Sequence, residues 1–303
     1  MSTWSNIYTI AGFNLEIIST AGDPTSFLPP KMQDFASSGS ADLTTDFTIT
    51  LEYDETAQAD PLKRFFPSKF KLSRREGRED REDRLAFVGV NGRDRILGWI
   101  SSRRDRGEIG LPRLEGPWRI EQEGEVVGDA IQALIGACLQ SRLLACGGTL
   151  LHAAGITLKK QGYAFVGHTR AGKTTLVQDF PDSAILGDDL VAVREIDEEA
   201  QLFGTPWPGR EGGTVAPGSA PLVAIFNLHR ELPPGLEEMT PPLAVAELSA
   251  NAPRLGYEGE EGELLAAFSR MAEFIPIYRL SIKLGDDVLS WLKDFSAKGG
   301  MRL

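Results

Sequence analysis

Cysteine is almost missing from this chain: Cys138 and Cys146 are the only two among 303 residues. They form neither a C-x-x-C pair nor a metal-ligand spacing, which excludes a disulfide framework or a zinc module as the organising principle. Both read as small apolar residues buried in a protein of a reducing compartment. Histidine is scarce as well, with three in the chain. No stretch approaches the roughly 18 uninterrupted apolar residues of a membrane span. The opening MSTWSNIYTIAGF lacks a basic segment followed by a long apolar one, so a cytoplasmic protein is expected, with no membrane partner. Positive charge is in deficit, with 32 Lys and Arg against 43 Asp and Glu and a net charge of −11. That balance disfavours a broad electrostatic grip on nucleic acid or anionic lipid, so no nucleic-acid partner is expected. Internal repeats and low-complexity tracts are absent too.

What is present is an ordinary globular composition, 42% hydrophobic and 25% charged, over a length that suits two domains. The first third alternates short apolar runs with turn clusters, as in IYTIAGFNLEII, DLTTDFTITLEY and DRILGWISS, and predicts a β-rich domain over residues 1–120. Within it, RREGREDREDR (residues 74–84) holds five arginines and five acids with no apolar member, the pattern of a solvated hairpin tip or flexible loop, with a partner-docking loop as the alternative. After Pro117 the texture changes. DAIQALIGACLQSRLLAC carries apolar residues at helical spacing through Ile131, Leu134, Ile135, Cys138, Leu139 and Leu143. Two strands, TLLHAAGITL and YAFVGH, follow across a KKQG turn. A helix from Lys173 to about Phe180, a buried strand SAILGDDLVAV, the strand PLVAIFNL, and a helix–strand–helix tail complete an α/β domain over residues 121–303.

The strongest chemical signal is Gly167-His-Thr-Arg-Ala-Gly-Lys-Thr174, a G-x-x-x-x-G-K-[ST] sequence between a predicted strand and a predicted helix. In such a loop successive backbone N–H groups surround phosphates, the lysine neutralises β/γ charge, and the hydroxyl ligates Mg²⁺. The nucleotide-binding candidates are therefore Gly167, His168, Thr169, Arg170, Ala171, Gly172, Lys173, Thr174 and Thr175. Phosphoryl-transfer chemistry also needs a carboxylate at a neighbouring strand end, and Asp188 and Asp189 supply two. Adjacent residues at a strand end point to opposite sides, so one acid can serve the metal while the other faces the acceptor. His152 stands on the strand leading toward the loop. His229 reads as structural.

With the loop, the acid pair and the upstream histidine together, the second half resembles the HPr kinase/phosphorylase-like proteins. They share the phosphoenolpyruvate-carboxykinase type of P-loop fold. The resemblance covers roughly residues 126–303 and rests on the order LHAAGITL, GHTRAGKT, ILGDDL. It implies an α/β (overall α+β) architecture: a PEP-carboxykinase-like P-loop kinase domain preceded by a smaller β-rich domain for acceptor binding or assembly. Carried over by position, Asp188 is the catalytic acid/base near His152, Asp189 and Thr174 are the metal-site residues, and Lys173 faces phosphate. FGTPWPGREGG, APLVAIFNLHR and IPIYRLSI look like segments of bacterial HPr-kinase-related proteins, which makes Thr205, Pro206 and Trp207 candidate substrate-site residues. Two positions depart from the family: Arg170 stands where relatives usually have glycine, and the glutamate-arginine-glycine signature after the acid pair is missing.

The expected activity is a phosphotransferase that uses ATP and Mg²⁺ to phosphorylate a hydroxyl, on a serine of a protein or peptide or on a small molecule. One rival is a nucleotide-binding pseudokinase, an ATP-regulated interaction module. A nucleotide hydrolase or GTPase is disfavoured by the lack of an N-K-x-D-type guanine motif, and a carboxykinase proper by the lack of a recognisable set of oxaloacetate-binding arginines. Relatives often form homo-oligomers, though no residue marks a symmetric interface.

Overall fold

A computed structural model describes residues 3–20, 22–25, 28–29, 31–37, 43–54, 70–75, 84–89, 96–101, 104–112, 123–168, 171–177, 180–209, 213–229, 232–254, 259–282 and 286–297. The fold is mixed α/β, with two sheets and five α-helices among these residues. The chain divides into two compact units. One comprises Met1–Thr9, Phe13–Arg142 and Arg254–Glu261; the other comprises Ile10–Gly12, Leu143–Pro253 and Gly262–Leu303.

The first unit is a seven-stranded sheet of β1 (Trp4–Ile10), β2 (Phe13–Ser19), β3 (Phe47–Asp54), β4 (Phe70–Arg75), β5 (Arg84–Gly89), β6 (Ile96–Ser101) and β7 (Arg106–Pro112), in the order β1-β2-β3-β7-β6-β5-β4. Its centre, β2-β3-β7, is parallel, and β4 to β7 form an antiparallel meander. Strict alternation explains β2, where Phe13, Leu15 and Ile17 are buried while Asn14, Glu16 and Ile18 are half-buried. Ala11 and Gly12 between β1 and β2 both have positive φ, 53° and 73°, as a two-residue hairpin turn requires. Helix α1 (Glu123–Ala145) packs on this sheet where Gly107 leaves room: a Cβ there would sit 3.1 Å from Cys138 Sγ. The division between units falls at Arg142, whereas the composition changes near residue 120. The middle of the charged run, residues 76–83, lies outside the described residues, as do residues 113–122 around the expected domain bound at 120; Arg75 and Arg84 are register partners in the β4–β5 ladder.

One sequence expectation fails here. Cys138 is buried, and burial pushes its thiol pKa up, but Cys146 is exposed. It follows the last residue of α1 and so leaves the helical stripe that buries Ile135, Cys138, Leu139 and Leu143.

The second unit holds an eight-stranded sheet of β8 (Thr149–Leu158), β9 (Gln161–Val166), β10 (Ile185–Gly187), β11 (Leu190–Ile196), β12 (Glu199–Gly204), β13 (Ser219–His229), β14 (Gly235–Glu238) and β15 (Ile277–Ser281). The helices are α2 (Lys173–Val177), α3 (Pro241–Ser249), α4 (Glu260–Phe274) and α5 (Val288–Ala297). Tight turns at Lys159-Lys160 and Asp197-Glu198, all with positive φ, close the β8–β9 and β11–β12 hairpins. The pairings β8–β9, β9–β13, β13–β12, β12–β11 and β11–β8 return to their starting strand. Strands β9, β13 and β15 are mutually parallel neighbours, so their carboxyl ends share one edge. The strand expected over SAILGDDLVAV is interrupted, with the acid pair in the break between β10 and β11.

Aromatic packing organises the core of this unit. Phe226 is fully buried in β13, and its ring lies 5.2 Å from Phe165, 5.7 Å from Tyr278, and 5.3 Å from both Trp291 and Phe295 of α5. Such a ring contributes area burial plus oriented quadrupole contacts. Phe226→Ala is therefore expected to destabilise the protein by about 3–5 kcal/mol. At roughly 2–4 °C per kcal/mol for a unit of this size, thermal denaturation should show a melting temperature lower by about 6–20 °C. A loss under about 2 °C would contradict this account of the core.

Candidate functional site

The segment after β9 leaves the sheet at the carboxyl edge of the parallel strands. Gly167 has φ 152°, and a Cβ on it would approach Ala171 Cβ to 2.9 Å and Leu228 Cβ to 3.3 Å, so neither the backbone nor the space admits a side chain. The His168 carbonyl accepts the Ala171 N–H at 2.9 Å, and Gly172, with φ 98°, leads into α2. Lys173 is 6% exposed and turns its ammonium back on this turn, donating to Gly167 O at 2.7 Å and His168 O at 3.4 Å. Burial lowers its pKa, and the charge of Asp189 works in the opposite direction. His168 and Thr175 are exposed and Thr174 is half-buried; Thr169 and Arg170 lie outside the described residues.

The two acids owe their positions to β8. β10 pairs Gly187 with Gly155, and β11 pairs Leu190 with His152, so the break sets Asp188 and Asp189 opposite Ala154 and Ala153. The two side chains enter different environments. Asp188 is 2% exposed, whereas the Asp189 side chain is 43% exposed. Burial raises the Asp188 pKa; a hydrogen bond from the Gly209 N–H to Oδ1 at 2.8 Å opposes that shift, and the neighbouring Asp189 charge adds to it.

From sequence, His152 is expected beside Asp188, but its Nδ1 lies 3.2 Å from Asp189 Oδ1. The register of β8 against β11 is the reason: it brings His152 level with Leu190, one residue from Asp189 and two from Asp188. Burial lowers the His152 pKa, the Lys173 charge lowers it further, and Asp189 partly offsets both. The imidazole is thus neutral near pH 7, with Nδ1 turned toward Asp189. The His152 backbone N–H donates to Asn251 O at 3.0 Å. Because Ala153 pairs with Val166, Gly167 follows β9 next to His152, and the phosphate-loop candidate, the histidine and the acids gather at one edge.

The substrate-site candidates divide. Thr205 is fully buried and donates its hydroxyl to Leu190 O at 2.7 Å; Pro206 is buried and Trp207 half-buried. Two glycines just beyond them meet the acid more directly. A Cβ on Gly209 would come within 2.8 Å of Asp188 Oδ2, and one on Gly213 within 1.5 Å. In the sequence their trace is the glycine density of PGREGG, which by itself reads as a turn. His229 ends β13 with a buried Nε2 that has no hydrogen-bond partner among the described residues.

No family model matches the sequence, and no curated protein matches it. Among solved structures, the Hpr(Ser) kinase/phosphatase from Coxiella burnetii matches over 50% of this chain and 99% of that one, at 12% identity and a TM-score of 0.33, a level that carries no functional argument.

Because its pKa is raised above the unfolded value of 3.8, Asp188 lends stability while protonated and loses it as pH rises through the folded pKa. At neutral pH its ionised form therefore opposes folding. Asp188→Asn keeps an oxygen for the Gly209 N–H and removes the buried charge. In metal-free buffer this variant should melt above the parent at pH 7, by about 2–4 °C for each kcal/mol recovered. The advantage should shrink as pH falls toward 3.8. A variant less stable than the parent at pH 7 would refute this electrostatic account.

Proposed function

We propose that this chain is an ATP- and Mg²⁺-dependent kinase that moves the γ-phosphoryl group to a hydroxyl on a serine of a protein or peptide, or on a small molecule. The observation that carries this reading is the pairing of His152 with Asp189 within electrostatic reach of Lys173, next in sequence to buried Asp188 and next in space to the turn opened by Gly167. Phosphoryl transfer asks little covalent chemistry of a protein; it asks for positioning and charge neutralisation. In the reaction the bond from the γ-phosphorus to its bridging oxygen breaks, and a bond to the acceptor oxygen forms. The acceptor's proton passes to Asp188, whose burial already favours the protonated form.

The residues fit Mg²⁺. Asp189 offers an accessible carboxylate and Thr174 a hydroxyl, and Mg²⁺ usually takes one or two protein oxygens together with phosphates and waters. Among the described residues no three His, Cys, Asp or Glu side chains converge, so Asp189 and Thr174 are the residues that would hold the ion. When bound, the ion neutralises charge on the phosphates. His152 orients Asp189 on this reading, and through it the metal side of the site, whereas the sequence alone assigned it to the acceptor side.

A second reading, a nucleotide-binding module that does not transfer phosphate, is favoured by one observation: Asp188 is 2% exposed. Transfer from radiolabelled ATP into a cell lysate, compared with ADP release without acceptor, separates the two. Lys173→Ala should weaken ATP binding roughly ten- to a hundred-fold in calorimetry, because a charged hydrogen bond contributes about 1.5–3 kcal/mol. Asp188→Asn should slow transfer about 10²–10⁴-fold with ATP affinity nearly unchanged. Unchanged transfer in a folded Asp188→Asn variant would sink the kinase reading.

His152→Ala should raise the Mg²⁺ concentration needed for half-maximal transfer. Combined with Asp189→Asn it should add little, because the two side chains act as one unit. Fully multiplying effects in a Mg²⁺ titration would show that His152 acts elsewhere.

A further inference from the structure

We infer that Gly209 and Gly213 are positioning residues for the Asp188 carboxylate, pressed against it by two anchored arms of the segment that follows β12; the inference rests on the kinase reading above. The Gly209 N–H donates to Oδ1 at 2.8 Å, and the Gly213 backbone lies so close that a Cβ there would stand 1.5 Å from Oδ2. A donor on one oxygen and a backbone wall beside the other fix the orientation of the carboxyl plane.

The arms are tied down on both sides of the acid. On the entry side, fully buried Thr205 donates its hydroxyl to Leu190 O at 2.7 Å. On the return side, the Ala216 N–H donates to Leu186 O at 3.3 Å, the Gly204 N–H donates to Gly218 O at 3.1 Å, and Val215 is buried. Leu186 and Leu190 stand two residues before and two residues after Asp188, so the strap is bonded to the same short stretch whose carboxylate it touches. A side chain added at Gly213 therefore meets an oxygen that has nowhere to go except out of its seat. Thr205 also gains a role from this arrangement: it anchors the strap.

The test compares Gly213→Ala and Asp188→Ala, singly and together, by thermal denaturation and by the rate of label transfer from ATP into a lysate. Gly213→Ala should lower the melting temperature by roughly 5 °C in the parent background, the scale of an overpacked contact, and by much less beside Asp188→Ala, where the opposing oxygens are gone. At saturating ATP the transfer rate of Gly213→Ala should fall about 10–100-fold, since a displacement of the order of 1 Å at a reacting group has that effect. The ATP concentration for half-maximal rate should stay within about two-fold of the parent, which separates misplacement of the base from damage to the nucleotide site. Gly209→Ala, with a nearest approach of 2.8 Å to Oδ2, serves the same test if the first variant does not fold. An equal loss of melting temperature in both backgrounds overturns the contact. Thermal coupling with an undiminished transfer rate overturns the positioning role. A parent that transfers no phosphate ends the kinase reading and the positioning role with it, while the coupling still decides whether glycine at these positions is there for the carboxylate.

Discussion

Strand β8 is hydrogen-bonded to neighbours along its whole length, and the candidate site is arranged by that one constraint. Its first half pairs with β11, its second half with β9, and Gly155 and Ile156 also pair with β10. His152 sits on β8 itself, the Gly167 turn leaves the strand on one side, and the Asp188-Asp189 break interrupts the strand on the other. Groups 15 and 36 residues from His152 in sequence, counted to Gly167 and Asp188, are thus brought to one edge by ladder pairing. Moving β8 by one residue would send His152 to the other face and separate it from Asp189.

The break between β10 and β11 gives two chemically identical neighbours opposite properties. Asp188 turns inward, where desolvation raises its proton affinity and glycine backbone surrounds it. Asp189 turns outward, toward a neutral imidazole and within reach of the Lys173 charge. Burial thus sets two identical side chains apart: one carboxyl is raised in proton affinity by desolvation, and the other stands at the surface of the site. Lys173 follows the same logic: its buried ammonium is satisfied by the carbonyls of Gly167 and His168.

Supporting this edge is an apolar interior with Phe226 at its centre, on the strand that neighbours both β9 and β15. Ring contacts from Phe165, Trp291 and Phe295 tie α5 to the sheet beneath the parallel strand ends. The strap after β12 is a different kind of support, made of backbone bonds to Leu186 and Leu190 and not of side-chain packing. Precision at Asp188 then depends on residues with almost no side chain.

Local signals sufficed for much of the architecture. Alternation marked β2 and β3, continuous apolar runs marked β8, β9 and β13, and helical spacing marked α1 and α4, because each pattern is set by the period of its own element. The residue types at Gly167–Thr174, His152 and Asp188-Asp189 could be picked out for the same reason: loop, strand and acid pair each carry a local pattern. Strands β7, β12 and β14 and helix α3 were not legible, since they have no distinctive run of their own. Cys146 was misjudged because its apolar character does not show whether a neighbouring segment covers it. Which acid His152 touches, which acid is buried, and why glycine stands at Gly209 and Gly213 were decided only in three dimensions. Strand register and the return path of a distant segment set those distances, and neither is encoded within the few residues of any single motif.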